Sequence, residues 1–336
     1  MMMNHTLKSQ CKVNPGTRIT GKWHSNKYMI MKELGFGANG VVYLARHNDR
    51  QVALKISDNG MTITSEVNVL KSFAKVQGSG SLGPSLLDVD DWQTSRGPLS
   101  FYVMEYIHGP DLLSFLQQKG KAWMPVLFLQ LLNDLARLHE NGWVFGDLKP
   151  ENLIISGPPP KIRCIDVGGT TIQGRAIKEF TEFYDRGYWG LGSRKAEASY
   201  DLFAVAMIMI NSAYPKRFNK TTSGIAQLKE AIRARPELQQ YESVIIKALQ
   251  GYYSSAGQMR SDLLDCMSDD KGAVHTKGNT TGTKTNSKKV QNAHQSQPLT
   301  RQRYRKSKKK RGWMEFFTIA LVVAFLYALY IFLKLQ

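Results

Sequence analysis

Residues 146–152 read Gly-Asp-Leu-Lys-Pro-Glu-Asn, which sets a carboxylate (Asp147), a cation (Lys149) and a carboxamide (Asn152) at offsets of zero, two and five. A second acid, Asp166, follows. Any fold of this chain must present that set together, and the spacing is hard to explain as a folding requirement alone. The groups suit the movement of a phosphoryl group. Asp147 can receive a hydroxyl proton, Lys149 can neutralise charge on the transferred group, and Asn152 with Asp166 can hold Mg2+.

Upstream, residues 35–42 fit G-x-G-x-x-G-x-V, with glycines at Gly35, Gly37 and Gly40 and Val42 closing the pattern. Glycines let backbone amides approach phosphates with no side chain in the way. Alone, the pattern is as readily a structural turn as a phosphate cradle. Fifteen residues after Gly40, the strand pattern Val52-Ala53-Leu54-Lys55 ends on a lysine that can reach alpha and beta phosphates. A lone lysine is otherwise a solvated strand end, but this order and spacing suit a nucleotide site. Glu66 lies in the next helical pattern, where it can pair with Lys55 or sit exposed at a helix start behind a capping Thr64.

The rest of the pattern predicts an α+β chain. Residues 1–22 read as a flexible lead-in. Strand patterns dominate from 27 to 103, at 29–31, 41–44, 51–55 and 99–107, with a helical pattern over 64–73 that turns Val67, Leu70 and Phe73 inward. Gly109-Pro110 breaks the last strand. From 112 to 267 the pattern is mostly helical. Leu127, Leu131, Leu132, Leu135 and Leu138 form one amphipathic face, and 201–210 is almost wholly apolar, as a buried helix is. Helices are also predicted over 238–249 and 259–266.

The net charge is +18, but thirteen Lys or Arg and no Asp or Glu fall within 271–313, which leaves only +5 for the rest. That excess needs a local explanation. Residues 269–312 are too polar to bury a core and are predicted to be a disordered linker. Residues 316–333 carry no charge. As a helix they would span about 27 Å, close to the hydrocarbon thickness of a bilayer. With Trp313 and Lys334 as interfacial anchors, the predicted transmembrane helix covers 313–334. A buried core helix is the bland alternative, weakened by the terminal position and the lack of a polar face.

Eight of the eleven residues 301–311 are basic: Arg301, Arg303, Arg305, Lys306, Lys308, Lys309, Lys310 and Arg311. Only Lys334 lies beyond the apolar run, so the positive-inside rule predicts a single-pass protein of the cell membrane with residues 1–312 in the cytoplasm. The cluster is a topology signal, an anionic-lipid contact or a sequence-independent DNA contact, and charge alone supports lipid and nucleic acid evenly. Lys277, Lys284, Lys288 and Lys289 carry the basic character beyond the layer near the membrane and tip the balance toward DNA. Cys11, Cys164 and Cys266 lie far apart with no CxxC or Cys/His cluster, and read as reduced thiols. The first 22 residues are polar and basic, so no signal peptide is expected.

Taken in order, these motifs resemble those of bacterial Hanks-type serine/threonine protein kinases, over about residues 25–267. The resemblance implies a bilobal protein-kinase-like fold over 23–268, with a β-rich N-lobe and a helical C-lobe, joined to the one C-terminal transmembrane helix. It implies transfer of the ATP γ-phosphate, with Mg2+, to Ser or Thr hydroxyls of protein substrates. ATP would lie between the lobes, with Met104 as gatekeeper and the backbone of Glu105, Tyr106 and Ile107 against adenine. Val42, Ala53 and Ile154 would enclose the ring, and Asp111 would meet the ribose. By the same match Asp147 is the catalytic base, Lys149 steadies the γ-phosphate, and Asn152 and Asp166 ligate Mg2+. Thr181 would link the activation segment to the catalytic loop, and Asp201 would support that loop's backbone. Thr170, Thr171 and Thr181 are candidate autophosphorylation sites by position. With its linker and span, the layout resembles a sporulation-associated branch of the family in Gram-positive bacteria. That implies a membrane-tethered kinase whose basic segment binds DNA. The lack of an extracellular sensor, together with the missing activation-loop arginine described below, leads to the separate expectation that DNA on 271–311 stimulates the kinase through self-association, gathering chains for autophosphorylation in trans.

Three departures from the family stand out. Phe145-Gly146 replaces the His-Arg before the base, and that arginine normally clamps a phosphorylated activation loop. Asp166-Val167-Gly168 keeps the metal ligand but lacks the aromatic packing switch. Arg186-Gly187-Tyr188 stands where Ala-Pro-Glu is expected, so the family's Glu–Arg pair cannot form as usual. Gly146-Asp147 also resembles small-molecule kinases of the aminoglycoside phosphotransferase type, although Lys149, Thr181 and the full glycine-rich turn favour a protein kinase. The remaining alternatives are a pseudokinase and a weakly active kinase-fold tether linking DNA or a partner to the membrane.

Overall fold

Strand alternation accounts for the first lobe. In the computed structural model, which describes residues 11–37, 39–77, 82–221 and 223–273, six strands form one antiparallel sheet. They are β1 (Arg18–Thr20), β2 (Lys27–Gly37), β3 (Gly40–His47), β4 (Arg50–Ser57), β5 (Leu86–Thr94) and β6 (Gly97–Glu105), in the order β1-β2-β3-β4-β6-β5. In β4, Val52, Leu54 and Ile56 join an apolar cluster with Tyr28, Tyr43, Phe101 and Val103. Ala53 points the other way, with Tyr102 and Met104 of β6. Side chains alternate along a strand, so Lys55 shares the face of Ala53, and a one-residue slip would drive its ammonium into the apolar cluster. The register sets Lys55 opposite Val42 on one side and Tyr102 on the other.

α1 (Gly60–Gln77) packs Ile63, Val67, Leu70 and Phe73 against that inner face. It starts four residues before the predicted helix. The side chain of Asn59 accepts from the Met61 amide at 3.1 Å and caps it, whereas Thr64 lies within the helix and bonds back to the Gly60 carbonyl.

The expected flexible lead-in does not hold for residues 11–22. Cys11 and Ile19 are buried, β1 pairs with β2, and the Tyr43 hydroxyl donates to the Cys11 carbonyl and accepts from the Val13 amide, both at 2.9 Å. The turn after β1 is tied to β5 by acids. Asp90 accepts from the amides of Trp23, His24 and Asp91, and Asp88 from His24, Asn26, Tyr28 and the Val89 amide.

The second lobe is helical: α2 (Leu112–Lys119), α3 (Trp123–Glu140), α4 (Arg186–Trp189), α5 (Ala198–Ser212), α6 (Gly224–Arg233), α7 (Pro236–Gln239), α8 (Glu242–Leu249) and α9 (Ala256–Ala273). The predicted helix over 238–249 is divided between α7 and α8, because Tyr241 leaves the helical region at φ −103° and ψ 4°. α5 is buried on all sides from Tyr200 to Asn211, as a central core helix must be. Two small antiparallel pairs frame the polar loop after α3: β7 (Trp143–Val144) with β10 (Thr171–Ile172), and β8 (Leu153–Ser156) with β9 (Lys161–Cys164).

α9 runs to Ala273, five residues into the predicted linker. Among the described residues no helix is long and apolar enough to cross a membrane. The predicted span at 313–334, the basic run at 301–311 and the rest of the linker lie outside the described residues.

Candidate active site

A cavity of about 410 Å³ lies between the sheet and the helical lobe. The sheet contributes Gly35, Gly37, Gly40, Val42, Ala53 and Lys55; the stretch after β6 contributes Ile107; the helical lobe contributes Asn152, Ile154 and Asp166. Met104 lines it too, so the residues predicted to enclose a nucleotide do converge. The glycines divide by role. A Cβ on Gly40, at φ +130°, would lie 2.2 Å from the Ile56 carbonyl, so packing on β4 demands a glycine there. A Cβ on Gly35 or Gly37 would meet nothing within 4 Å. Among the described residues nothing requires glycine at those two positions, as expected where backbone must approach a ligand.

Lys55 and Glu66 form a buried pair, with Nζ 2.7 Å from each carboxylate oxygen. The Tyr102 hydroxyl donates to the same carboxylate at 2.8 Å. Burial, then the neighbouring Glu66 charge, holds the Tyr102 phenol well above its ordinary range, so it stays a donor. α1 is therefore drawn in against the sheet, and Lys55 is fixed in direction.

The loop carrying Asp147 hangs from α5. Asp201, fully buried, accepts from the Phe145 amide at 2.8 Å, the Gly146 amide at 2.9 Å and His139 Nε2 at 2.8 Å. Asp147 is held at both oxygens: Lys149 Nζ donates to Oδ2, and the Thr181 hydroxyl to Oδ1 at 3.3 Å. Gly146 does more than omit an arginine. It sits at φ +87°, and an added Cβ would lie 2.8 Å from the Gly169 carbonyl. The start of the segment after Asp166 packs directly on the loop because position 146 has no side chain.

The donor set suits Mg2+. The Asn152 amide nitrogen donates to the Asp147 carbonyl at 3.4 Å, which leaves its oxygen available. Asp166 accepts from the Gly168 amide at 2.9 Å through one oxygen only. A carboxylate and a carboxamide oxygen on one cavity wall are hard ligands of the kind Mg2+ takes alongside phosphates and water.

Asp111 lies at the edge of the cavity, bridged to Ile154, and its carboxylate caps α2, accepting from the Ser114 amide at 3.0 Å and the Ser114 hydroxyl at 2.6 Å. The Glu105 carboxylate is bidentate to Arg163 at 2.9 and 3.2 Å, tying the end of β6 to β9, while its amide donates to the Ser85 carbonyl at 2.8 Å. Burial alone would raise the Glu105 carboxyl, but Arg163 and the Ser85 amide outweigh it and hold it low. Thr170 and Thr171 are buried, so of the three candidate phosphosites only Thr181 has exposed surface.

Two features escaped sequence reasoning. Glu179 lines the cavity and accepts from Asn39 in the glycine-rich turn. Burial and then the Asp166 charge push its carboxyl up. The second is an ion pair beside Arg186-Gly187-Tyr188: Arg194 donates to the buried Asp185 at 2.6 Å. The acid next to that tripeptide was the available signal.

Several known proteins resemble the chain. The protein kinase domain family matches residues 28–271. The serine/threonine-protein kinase YabT of Bacillus subtilis is 54% identical over 308 residues, covering 91% of this chain and 86% of that protein. Serine/threonine-protein kinase PknB of Mycobacterium leprae is 25% identical over 270 residues, covering 71% of this chain and 43% of that protein. Protein kinase dsk1 of Schizosaccharomyces pombe is 29% identical over 167 residues, 46% of this chain and 31% of that protein.

Proposed function

This chain belongs to the protein kinase family and is a serine/threonine kinase, and from that premise we propose that the cavity below the glycine-rich turn is where it moves phosphate from ATP to protein. The observation that carries this reading is the convergence of the Lys55–Glu66 pair, Asn152 and Asp166 on one cavity, with Asp147 beside it. Lys55 binds phosphate oxygens and Glu66 keeps it aimed. Asp147 takes the hydroxyl proton of the acceptor Ser or Thr as the new O–P bond forms and the bond from the γ-phosphorus to the ADP oxygen breaks. Lys149, already on the Asp147 carboxylate, offsets charge on the group in transit. Asn152 and Asp166 hold Mg2+, which when bound neutralises charge on the phosphates. Transfer from labelled ATP to casein by wild type and Asp147→Asn tests the assignment. A loss of about 100-fold or more is expected. Equal transfer would remove the chemistry from Asp147 and favour the tether reading.

The finer reading extends to the tail. Residues 313–334 anchor the chain in the cell membrane with the kinase domain in the cytoplasm, and 301–311 bind DNA without reading sequence. DNA binding raises activity by gathering chains for phosphorylation in trans. The eight basic residues of 301–311, the charge-free 316–333 and the 54% identity to YabT support this; a place in sporulation rests on the layout's resemblance. Full-length protein in detergent micelles with all eight basic residues replaced by Gln should lose DNA retention. Retention at wild-type strength would put the DNA site elsewhere.

A further inference from the structure

Two family devices for ordering the activation segment are missing here: the arginine before the base and the Ala-Pro-Glu anchor. The segment is nevertheless tightly held. Residues 174–177 pair with 194–196 through the backbone: Gly174 N to Ala196 O at 2.8 Å, Ala196 N to Arg175 O at 2.7 Å, and Ile177 N to Arg194 O at 2.9 Å. The Arg194 side chain then turns inward. Its Nε and Nη2 donate to Asp185 Oδ2 at 2.8 and 2.6 Å, and its guanidinium lies 4.0 Å from the centre of the Phe180 ring. Asp185 also accepts from the Tyr200 hydroxyl and from the Gly187 and Tyr188 amides, so it is anchored to α5 and to the start of α4. Phe180 is followed directly by Thr181, whose hydroxyl reaches Asp147. One guanidinium thus joins a fixed acid, the paired segment and the residue next to the contact on the base.

Resting on the kinase reading above, we infer that Arg194 is a positioning residue: locked by Asp185, it holds Phe180 and Thr181 in register with Asp147 and so orders the acceptor side of the site without a phosphate. The clamp is built from unmodified side chains, so the segment is set as soon as the domain folds. Arginine suits the task because its planar head can donate to a carboxylate and lie against a ring at once, which lysine cannot match. The Arg194 side chain is 46% exposed, and Asp185 keeps three other donors without it, so the Ala variant is expected to fold.

The test is steady-state kinetics on the full-length protein in detergent micelles, with casein as acceptor, for wild type, Arg194→Ala, Arg194→Lys and Asp147→Asn, each with a melting curve. Arg194→Ala should lower kcat at least tenfold and leave the KM for ATP within twofold, because the nucleotide cavity does not include it. Arg194→Lys should recover part of kcat. Wild type treated with phosphatase and then assayed should keep its initial rate. The inference is overturned if Arg194→Ala matches wild type, if the KM for ATP moves in step with kcat, or if phosphatase abolishes the initial rate. Equal rates for wild type and Asp147→Asn would instead overturn the kinase reading of the site, a result the Arg194 variants cannot mimic.

Discussion

Replacing Gly146 by Ala separates a missing arginine from a required glycine. If Gly146 marked only the loss of a phospho-loop clamp, a methyl group would be harmless. The geometry says otherwise. A non-glycine residue at φ +87° costs about 1 kcal/mol, and the added Cβ would lie 2.8 Å from the Gly169 carbonyl, inside any normal contact. That oxygen is backbone, so relief needs a main-chain shift costing about 1–2 kcal/mol. A total of about 2–3 kcal/mol in a domain of this size lowers the melting temperature by roughly 4–12 °C. The Gly146 amide also bonds to Asp201, so the shift pulls on Asp147 and should cut kcat about tenfold or more. Melting followed by circular dichroism, with casein phosphorylation at a temperature where both proteins are folded, reads both effects. Gly37→Ala is the internal control. Its Cβ meets nothing within 4 Å, so it should melt with wild type and raise only the KM for ATP. A Gly146→Ala protein that melts within about 1 °C of wild type would refute the reasoning. By the same logic, Gly146→Arg should damage the enzyme and not restore a clamp.

Other outcomes follow from named groups. Glu179 adds negative charge to a cavity that must accept phosphates, so Glu179→Gln should lower the KM for ATP, by about fivefold, if its charge costs roughly 1 kcal/mol there; an unchanged or raised KM refutes that. Burial alone would raise the Asp185 carboxyl, but bonds from Arg194, Tyr200 and the Gly187 and Tyr188 amides hold it below the usual range. A depressed carboxyl contributes stability that is complete above its unfolded value of about 4 and is lost as pH falls through the lower folded value. Urea unfolding from pH 5 down to 2 should therefore fall less steeply for Asp185→Asn than for wild type, and parallel curves would contradict this. If the eight basic residues of 301–311 neutralise about eight DNA phosphates, affinity should drop by about 10⁴ between 50 and 200 mM salt. A flat salt dependence would exclude that mode of binding.

How much could be read in advance depends on what dictates each residue. Lys55, Glu66, Asp147, Asn152 and Asp166 were legible because reaction chemistry restricts residue type and order, and the fold has to comply. Asp111 is less legible for the opposite reason. An acid that caps a helix and an acid that faces a ligand are the same letter, and the cap on the Ser114 amide appears only in the structure. β1 was missed because three residues carry too little pattern, and the order of 11–22 comes from the Tyr43 hydroxyl and the Asp91 carbonyl, which bind Cys11, Val13 and Lys22 from remote places in sequence. The Asp185–Arg194 pair had one signal, the acid next to Arg186-Gly187-Tyr188. Glu179 gave no signal at all, since its entry into the cavity depends on how the glycine-rich turn meets the activation segment.

An activation segment already pinned by backbone pairing and by Arg194 leaves little for loop phosphorylation to switch, which moves the question of control to encounter between chains. On the proposed DNA mode, eight positive charges match the phosphates of about 14 Å of duplex, roughly four base pairs. A long duplex can hold several chains side by side and raise their effective concentration for transfer in trans. A scaffold of that kind has a signature that an allosteric activator lacks. Stimulation by a duplex of about 60 base pairs should rise, peak and then fall as added DNA outnumbers the kinase and chains disperse one per duplex. A duplex of about 8 base pairs should stimulate weakly at any concentration. The assay is autophosphorylation of the full-length protein in micelles, at low salt, across a DNA titration. A plateau with no decline at excess DNA, or equal stimulation by the short duplex, would show that DNA acts within a single chain and would send the search for the switch back to the domain itself.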